Sequence, residues 1–171
     1  MPENLFDLSG KVALITGANS GLGFGYARGL ARAGSDIILW GRRADRNEEA
    51  THALRQYGVR VFADSVDVGS EPAIVAGFAR ALDAMGRVDT LVANAGIATQ
   101  IAFTDMDVGT YRKLIDVNLD GAVFALRETA RHMKARAGHS SSAAAGLSFR
   151  AYLPWPITAS PRAPLILWPR R

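Results

Sequence analysis

The chain has 171 residues, 49% of them hydrophobic and 21% charged, which suits one globular domain with a sizeable core and is not the composition of a disordered protein. It has no cysteine, so disulfides and thiolate metal sites are ruled out; His52, His132 and His139 lack metal-ligand spacing, and the first two fall in helical segments with their rings expected toward solvent. The net charge is +4. The opening Met1-Pro2-Glu3-Asn4-Leu5 is acidic where a signal peptide is basic, and no run is apolar enough to span a bilayer, so a cytoplasmic protein without a membrane partner is expected.

In chain order, Val12-Ala13-Leu14-Ile15 is a short apolar run of the kind found in strands buried on both faces. A glycine-rich turn leads into a helix over about 21–33, and Ile37-Ile38-Leu39-Trp40 is the second strand. Residues 44–57 form a polar, alanine-containing helix that Gly58 stops. Val59 to Ala63 is the third strand. Ser70-Glu71-Pro72 starts a helix, with a capping serine and a proline in the first turn, and that helix ends at Gly86. Thr90-Leu91-Val92-Ala93 is the fourth strand, and a long helix follows over about 111–134. Strand and helix alternating at this spacing imply right-handed crossovers, hence an α/β fold with a doubly wound parallel sheet in the order 3-2-1-4. Residues 1–134 make up this unit.

From 135 to 171 the pattern breaks. Five of the seven prolines (154, 156, 161, 164 and 169) fall in the last 18 residues. Residues 1–128 carry 13 Lys and Arg against 16 Asp and Glu, whereas residues 129–171 carry seven basic residues and no acidic one. The positive charge therefore belongs to the tail. A nucleic-acid face would need it arranged among stacking aromatics, but Trp155 and Trp168 stand among prolines, so no nucleic-acid partner is expected. A fifth strand should follow the long helix, yet Gly138-His139-Ser140-Ser141-Ser142 has no β-forming run. Leu165-Ile166-Leu167 is the later candidate, and prolines flank it. Without a neighbour, the fourth strand is expected to be an exposed edge open to another chain.

Thr16-Gly17-Ala18-Asn19-Ser20-Gly21-Leu22-Gly23 joins the first strand to the first helix. Glycines permit the tight turn and close backbone approach that a pyrophosphate needs, and a helix start offers free N–H groups and positive dipole to phosphates. The alternative is a merely tight turn, but the strand–turn–helix context makes the pattern informative. Its T-G-x-x-x-G-x-G spacing resembles the short-chain dehydrogenase/reductase signature, which implies a Rossmann-type fold. Three more segments match that family in order. Asp67-Val68 matches its adenine-contacting aspartate segment. Asn94-Ala95-Gly96 matches the motif that steadies the sheet and lines the cofactor pocket. Asp116-Val117-Asn118 matches the helix asparagine that helps to hold a proton-relay water. The resemblance implies that Gly17, Asn19, Ser20, Gly21, Leu22, Gly23, Asp67, Val68, Asn94, Ala95 and Gly96 bind a nicotinamide dinucleotide. The second strand ends Trp40-Gly41-Arg42-Arg43 without an acid to hold a ribose 2′-hydroxyl; an arginine there accommodates a 2′-phosphate. NADP(H) is thus favoured over NAD(H), with Arg42 as the contact, the alternative being two solvated arginines at a helix start.

Members of this family transfer hydride between the nicotinamide and an alcohol or carbonyl substrate. A tyrosine moves the proton, a lysine four residues later lowers its pKa, and a serine positions the substrate oxygen. Ser141-Ser142-Ala143-Ala144-Ala145-Gly146 resembles the serine segment, with Ser142 the candidate. Fifteen residues on, Ile157-Thr158-Ala159-Ser160-Pro161 resembles Y-x-A-S-K with both functional residues replaced. Isoleucine moves no proton, and proline carries neither charge nor donor. Tyr152 has Pro156 four positions later and fails as a substitute. The catalytic candidates are then Asn118 and Ser142, with no metal. The family's later elements, which shape the substrate pocket and an oligomer interface, are not recognisable. Three readings stay open: an oxidoreductase with a truncated or frame-shifted end, a dinucleotide-holding pseudoenzyme, and a non-functional fragment.

Overall fold

The computed structural model describes residues 6–137 and the two strands at 143–144 and 165–169. Strand β1 (Val12–Thr16) leads to α1 (Gly21–Arg32), β2 (Asp36–Trp40), α2 (Ala44–Arg55), β3 (Val61–Asp64), α3 (Glu71–Met85) and β4 (Thr90–Ala93). A 3₁₀ turn at Phe103–Asp105 precedes α4 (Val108–Ile115), a π turn (Asp116–Asp120) and α5 (Gly121–Ala137). Last come β5 (Ala143–Ala144) and β6 (Leu165–Pro169). No described helix is long and apolar enough to cross a membrane.

The sheet order is β3-β2-β1-β4-β6-β5. Its first four strands are parallel, with Leu14 opposite Ile38 on one side and Leu91 on the other. The expected 3-2-1-4 order is what forms. All of β1 is buried because both sheet faces are covered. Val12 and Leu14 pack with Ile38, Trp40, Leu91 and Phe78 on the α3/α5 side, while Ala13 and Ile15 pack with Ile37, Leu39 and Leu54 on the α1/α2 side. Strand alternation divides one apolar run between two layers, each fully buried large aliphatic side chain contributing about 1.5–3 kcal/mol.

Local signals set most boundaries. Ser70 caps α3 by accepting from the Ala73 N–H at 3.4 Å, and Gly86 ends it with φ +79°. That left-handed turn suits glycine because a Cβ would crowd the backbone.

Three expectations change. The fourth strand is not an edge: β6 lies antiparallel beside it, pairing Leu167 with Leu91, Ile166 with Val92 and Leu165 with Ala93. The flanking prolines do not bar this, since Pro169 is the strand's last residue and a strand end tolerates a missing donor. The long helix begins earlier, at Val108, where Asp107 accepts from the Thr110 N–H at 2.8 Å, and the π turn interrupts it. His132 is half-buried rather than solvent-facing. Its Nε2 accepts from the Val88 N–H at 3.2 Å and its ring meets the Phe78 ring edge-on, 6.1 Å between centroids. Burial, with repulsion from Arg136, lowers the His132 pKa.

The start of β4 is locked to β1 by a charge cluster. Asp89 accepts from the Val12 N–H at 2.9 Å, from Arg87 Nε at 2.7 Å and from Arg136 Nη1 at 3.1 Å. Burial pushes the Asp89 carboxyl up, but the hydrogen bonds from Arg87, Val12 and Arg136 outweigh it and hold the pKa below the ordinary carboxylate value.

Candidate cofactor site

A crevice of about 400 Å³ opens at the carboxyl ends of β1, β2 and β4, where open α/β sheets bind their ligands. The turn after β1 contributes Gly17, Asn19 and Ser20, and α1 adds Leu22 and Gly23. Trp40, Gly41, Arg42 and Arg43 come from the end of β2, Val66, Asp67 and Val68 from beyond β3, Asn94, Ala95, Gly96 and Ile97 from beyond β4, and Val117 from the π turn. Every residue expected to touch the cofactor therefore lines one cleft except Gly21, which shapes the turn.

That turn is built on backbone approach. Gly17 and Gly21 have φ of +64° and +55°, the left-handed region where a Cβ is costly. A Cβ on Gly23 would strike the Gly17 carbonyl oxygen and come within 2.5 Å of Asn94 Nδ2. Ser20 stands at the N-cap in extended conformation, yet its side chain makes no capping bond and no acid lies in the first turn. Side chains do cap α3 and α4. The first-turn amides of α1 have no intrahelical partner, so they and the helix dipole are left for an anion. The Ala18 amide is not among them, for it donates to the Trp40 carbonyl at 3.2 Å.

Asn94 holds the two central strands together at the cleft. Its Nδ2 donates to the Thr16 and Gly17 carbonyls at 3.2 and 3.3 Å. The Thr16 hydroxyl oxygen accepts from the Asn94 and Ala95 N–H groups, both at 3.0 Å. Asn118, in the π turn, embraces Ile97, accepting from its N–H at 2.7 Å and donating to its carbonyl at 2.9 Å. The side chain thereby fixes the loop beyond Gly96 and does not itself line the cleft. Asp67 is exposed, and its Oδ1 accepts from the Gly69 N–H at 3.0 Å.

At the β2 end, Arg42 and Arg43 are exposed, and among the described residues neither guanidinium has an ion-pair partner. Beneath them Asn47 is 4% exposed. Its Nδ2 donates to the Gly41 and Asp64 carbonyls at 2.9 and 3.2 Å, and its Oδ1 accepts from Asn19 Nδ2 at 2.8 Å. The sequence pattern had not singled out Asn47, and it held Thr16 only as the first residue of the turn motif, without a role. Asn47 shares a buried stripe with Ala50 and Leu54, so the legible signal was a polar residue at helical spacing on an apolar face. Ser142, Tyr152, Ile157 and Pro161 lie outside the described residues.

The cleft's glycine cradle and uncapped helix fit a dinucleotide diphosphate, and comparison with known proteins agrees. The short chain dehydrogenase family model matches residues 11–145. Gluconate 5-dehydrogenase of Gluconobacter oxydans is 34% identical over 130 residues, covering 76% of this chain and 51% of that protein. L-rhamnose 1-dehydrogenase (NAD(P)(+)) of a Sphingomonas species is 35% identical, over 84% of this chain and 57% of its own. The L-sorbose reductase of Gluconobacter frateurii, solved with NADPH and L-sorbose, superposes with a TM-score of 0.73 at 33% identity, covering 77% of this chain and 50% of that one. The chain belongs to the short-chain dehydrogenase/reductase family, a family of dehydrogenases and reductases that bind NAD(P). It spans about half the length of the curated relatives it matches.

Proposed function

We propose that this chain holds NADP(H) in the cleft and derives from an oxidoreductase acting on an alcohol or carbonyl compound, with its own turnover impaired. The observation that carries this is the first turn of α1, whose amides no side chain of the helix caps and whose Gly23 admits no Cβ. When bound, the nicotinamide gives or takes a hydride. Around it, Gly17 and residues 19–23 bind the diphosphate through backbone amides and dipole. Asp67 and Val68 border the adenine end. Asn94, Ala95 and Gly96 line the floor while Asn94 keeps the turn in place. Arg42, joined by Arg43, offers positive charge to a 2′-phosphate, which supports NADP(H) over NAD(H). Asn118 holds the loop at Ile97 and helps to retain a proton-relay water, and Ser142 orients the substrate oxygen.

Residues 1–134 act as the dinucleotide-binding unit, and residues 135–171 stand in place of the catalytic and substrate-binding part. A second reading, a dinucleotide-holding pseudoenzyme, is favoured by one sequence fact. None of the four tyrosines (26, 57, 111 and 152) has a lysine four positions later. Loss of a positioned acid–base group costs about 10²–10⁴ in rate.

Two measurements on the full chain test these readings. Titration with NADPH and NADH, followed by nicotinamide fluorescence, should saturate with both and more tightly with NADPH. Nicotinamide absorbance with gluconate, L-rhamnose and L-sorbose, the compounds for which those relatives are named, should show turnover weak or nil. No saturable binding overturns the cofactor assignment, and turnover at an ordinary enzyme's rate overturns the impairment.

A further inference from the structure

Asn47 is a buried polar side chain packed behind the cleft, where both amide hydrogens and its oxygen are hydrogen-bonded. The Gly41 carbonyl it binds belongs to the segment that carries Arg42 and Arg43. The Asp64 carbonyl it also binds accepts from the Gly41 N–H at 3.2 Å. Asn47 therefore closes the sheet ladder where β2 and β3 part. Its third bond fixes Asn19, in the turn after β1, whose side chain packs against Gly41. The packing leaves no slack, because a Cβ on Gly41 would overlap Asn19 Nδ2 and come within 2.5 Å of Asn47 Oδ1. A buried amide bonded on three sides has one orientation, and any apolar replacement leaves the Gly41 carbonyl without this donor.

We propose that Asn47 is a positioning residue for cofactor choice: by tying Asn19 to Gly41 it holds the turn and the Arg42–Arg43 segment at the separation that grips a ribose 2′-phosphate. Asn47 touches no ligand itself. It acts through Asn19 on one side and through the Gly41 backbone on the other. An unphosphorylated ribose makes no demand on the two guanidinia, so loosening this tie weakens NADPH far more than NADH. The inference rests on the cofactor assignment above.

The test is a double-mutant cycle on the full chain with Asn47→Leu, Asn19→Ala and the pair together, reading NADPH and NADH affinities by fluorescence titration. Leucine matches the apolar stripe of Ala50 and Leu54 while deleting all three bonds; Asn47→Ser serves if the leucine variant does not give a cooperative melt. The expected result is a preference for NADPH over NADH reduced about tenfold, the scale of one well-placed hydrogen bond to a charged or oriented group. The double variant should be no worse than the worse single one, because both remove the same link. Parallel weakening of both cofactors, or fully additive losses, would overturn the proposal. If the unaltered chain binds neither cofactor, the cofactor assignment falls and takes this inference with it. If the unaltered chain prefers NADPH and Asn47→Leu keeps that preference, this inference alone falls.

Discussion

Three glycines of α1 offer a test of opposite signs within one helix. Gly23, Gly25 and Gly29 all lie in α1, and an exposed helical Gly→Ala change ordinarily stabilises by about 1 kcal/mol. A Cβ on Gly25 or Gly29 meets nothing within 4 Å, so alanine at either should give that gain. A Cβ on Gly23 would overlap the Gly17 carbonyl oxygen and lie 2.8 Å from the Gly17 carbonyl carbon. Backbone atoms cannot swing aside as a side chain can, and overpacking of this kind costs about 1–3 kcal/mol. The helix gain offsets part of that, so Gly23→Ala should fall below the other two variants by about 1–3 kcal/mol. Thermal melts read the difference, since each kcal/mol moves Tm by about 2–4 °C in a chain of this size. The phosphate turn must open to admit the methyl group, so Gly23→Ala should also lose at least about tenfold in NADPH affinity, the equivalent of about 1.4 kcal/mol. Gly25→Ala and Gly29→Ala, outside the cleft, should keep it. If Gly23→Ala stabilises as its neighbours do and still binds NADPH, the close approach of helix and turn is not what builds the site.

Other consequences concern the far end of the sheet and the missing chemistry. The His132 pKa is lowered by burial and by Arg136, so its stabilising contribution is full above about pH 6.5 and declines as pH falls from there through the lowered value. His132→Gln keeps an acceptor for the Val88 N–H and should flatten the dependence of Tm on pH below about 6.5; an unchanged slope would contradict the imidazole's role as acceptor. Asp89→Asn should cost about 1–3 kcal/mol in urea unfolding, less than breaking a fully buried pair because Arg87 and Arg136 keep 34% and 40% of their side chains exposed. Because the Asp89 pKa is lowered, its contribution is present above about pH 4 and lost as pH falls through the folded value, so the same variant should show a shallower acid limb. Joint replacement Ile157→Tyr with Pro161→Lys should raise hydride transfer in the absorbance assay if only the proton-moving pair is lacking; no gain would place the defect in the surrounding pocket.

Much of the fold was legible because two periodicities and a few punctuating residues decide it. β1 and β2 read as continuous apolar runs since both faces are covered, and Ser70, Pro72 and Gly86 bounded α3 as their local chemistry dictates. The phosphate turn was legible because Gly17, Gly21 and Gly23 are each required by a backbone conformation or contact. The π turn was not, since residues 116–120 keep a helical composition and what marks them is the tertiary embrace of Ile97 by Asn118. His132 was misplaced for a similar reason: a helix pattern does not reveal that α5 packs across Phe78 and the Val88 amide. Leu165-Ile166-Leu167 stood out as a candidate strand, but its place beside β4 was not legible because β6 is remote in sequence and antiparallel. Asn47 carried a single faint signal, its helical spacing with Ala50 and Leu54, which the strongly polar composition of α2 masked.

The most direct test of the site is backbone amide NMR of the full chain during titration with NADPH. The expected result is saturable shifts concentrated at Gly17, at residues 19–23 and at Asn94 to Ile97, with Ala18 moving less because its N–H is committed to the Trp40 carbonyl. Saturable binding that leaves those amides unmoved while shifts gather elsewhere would contradict the assignment of the diphosphate to the start of α1.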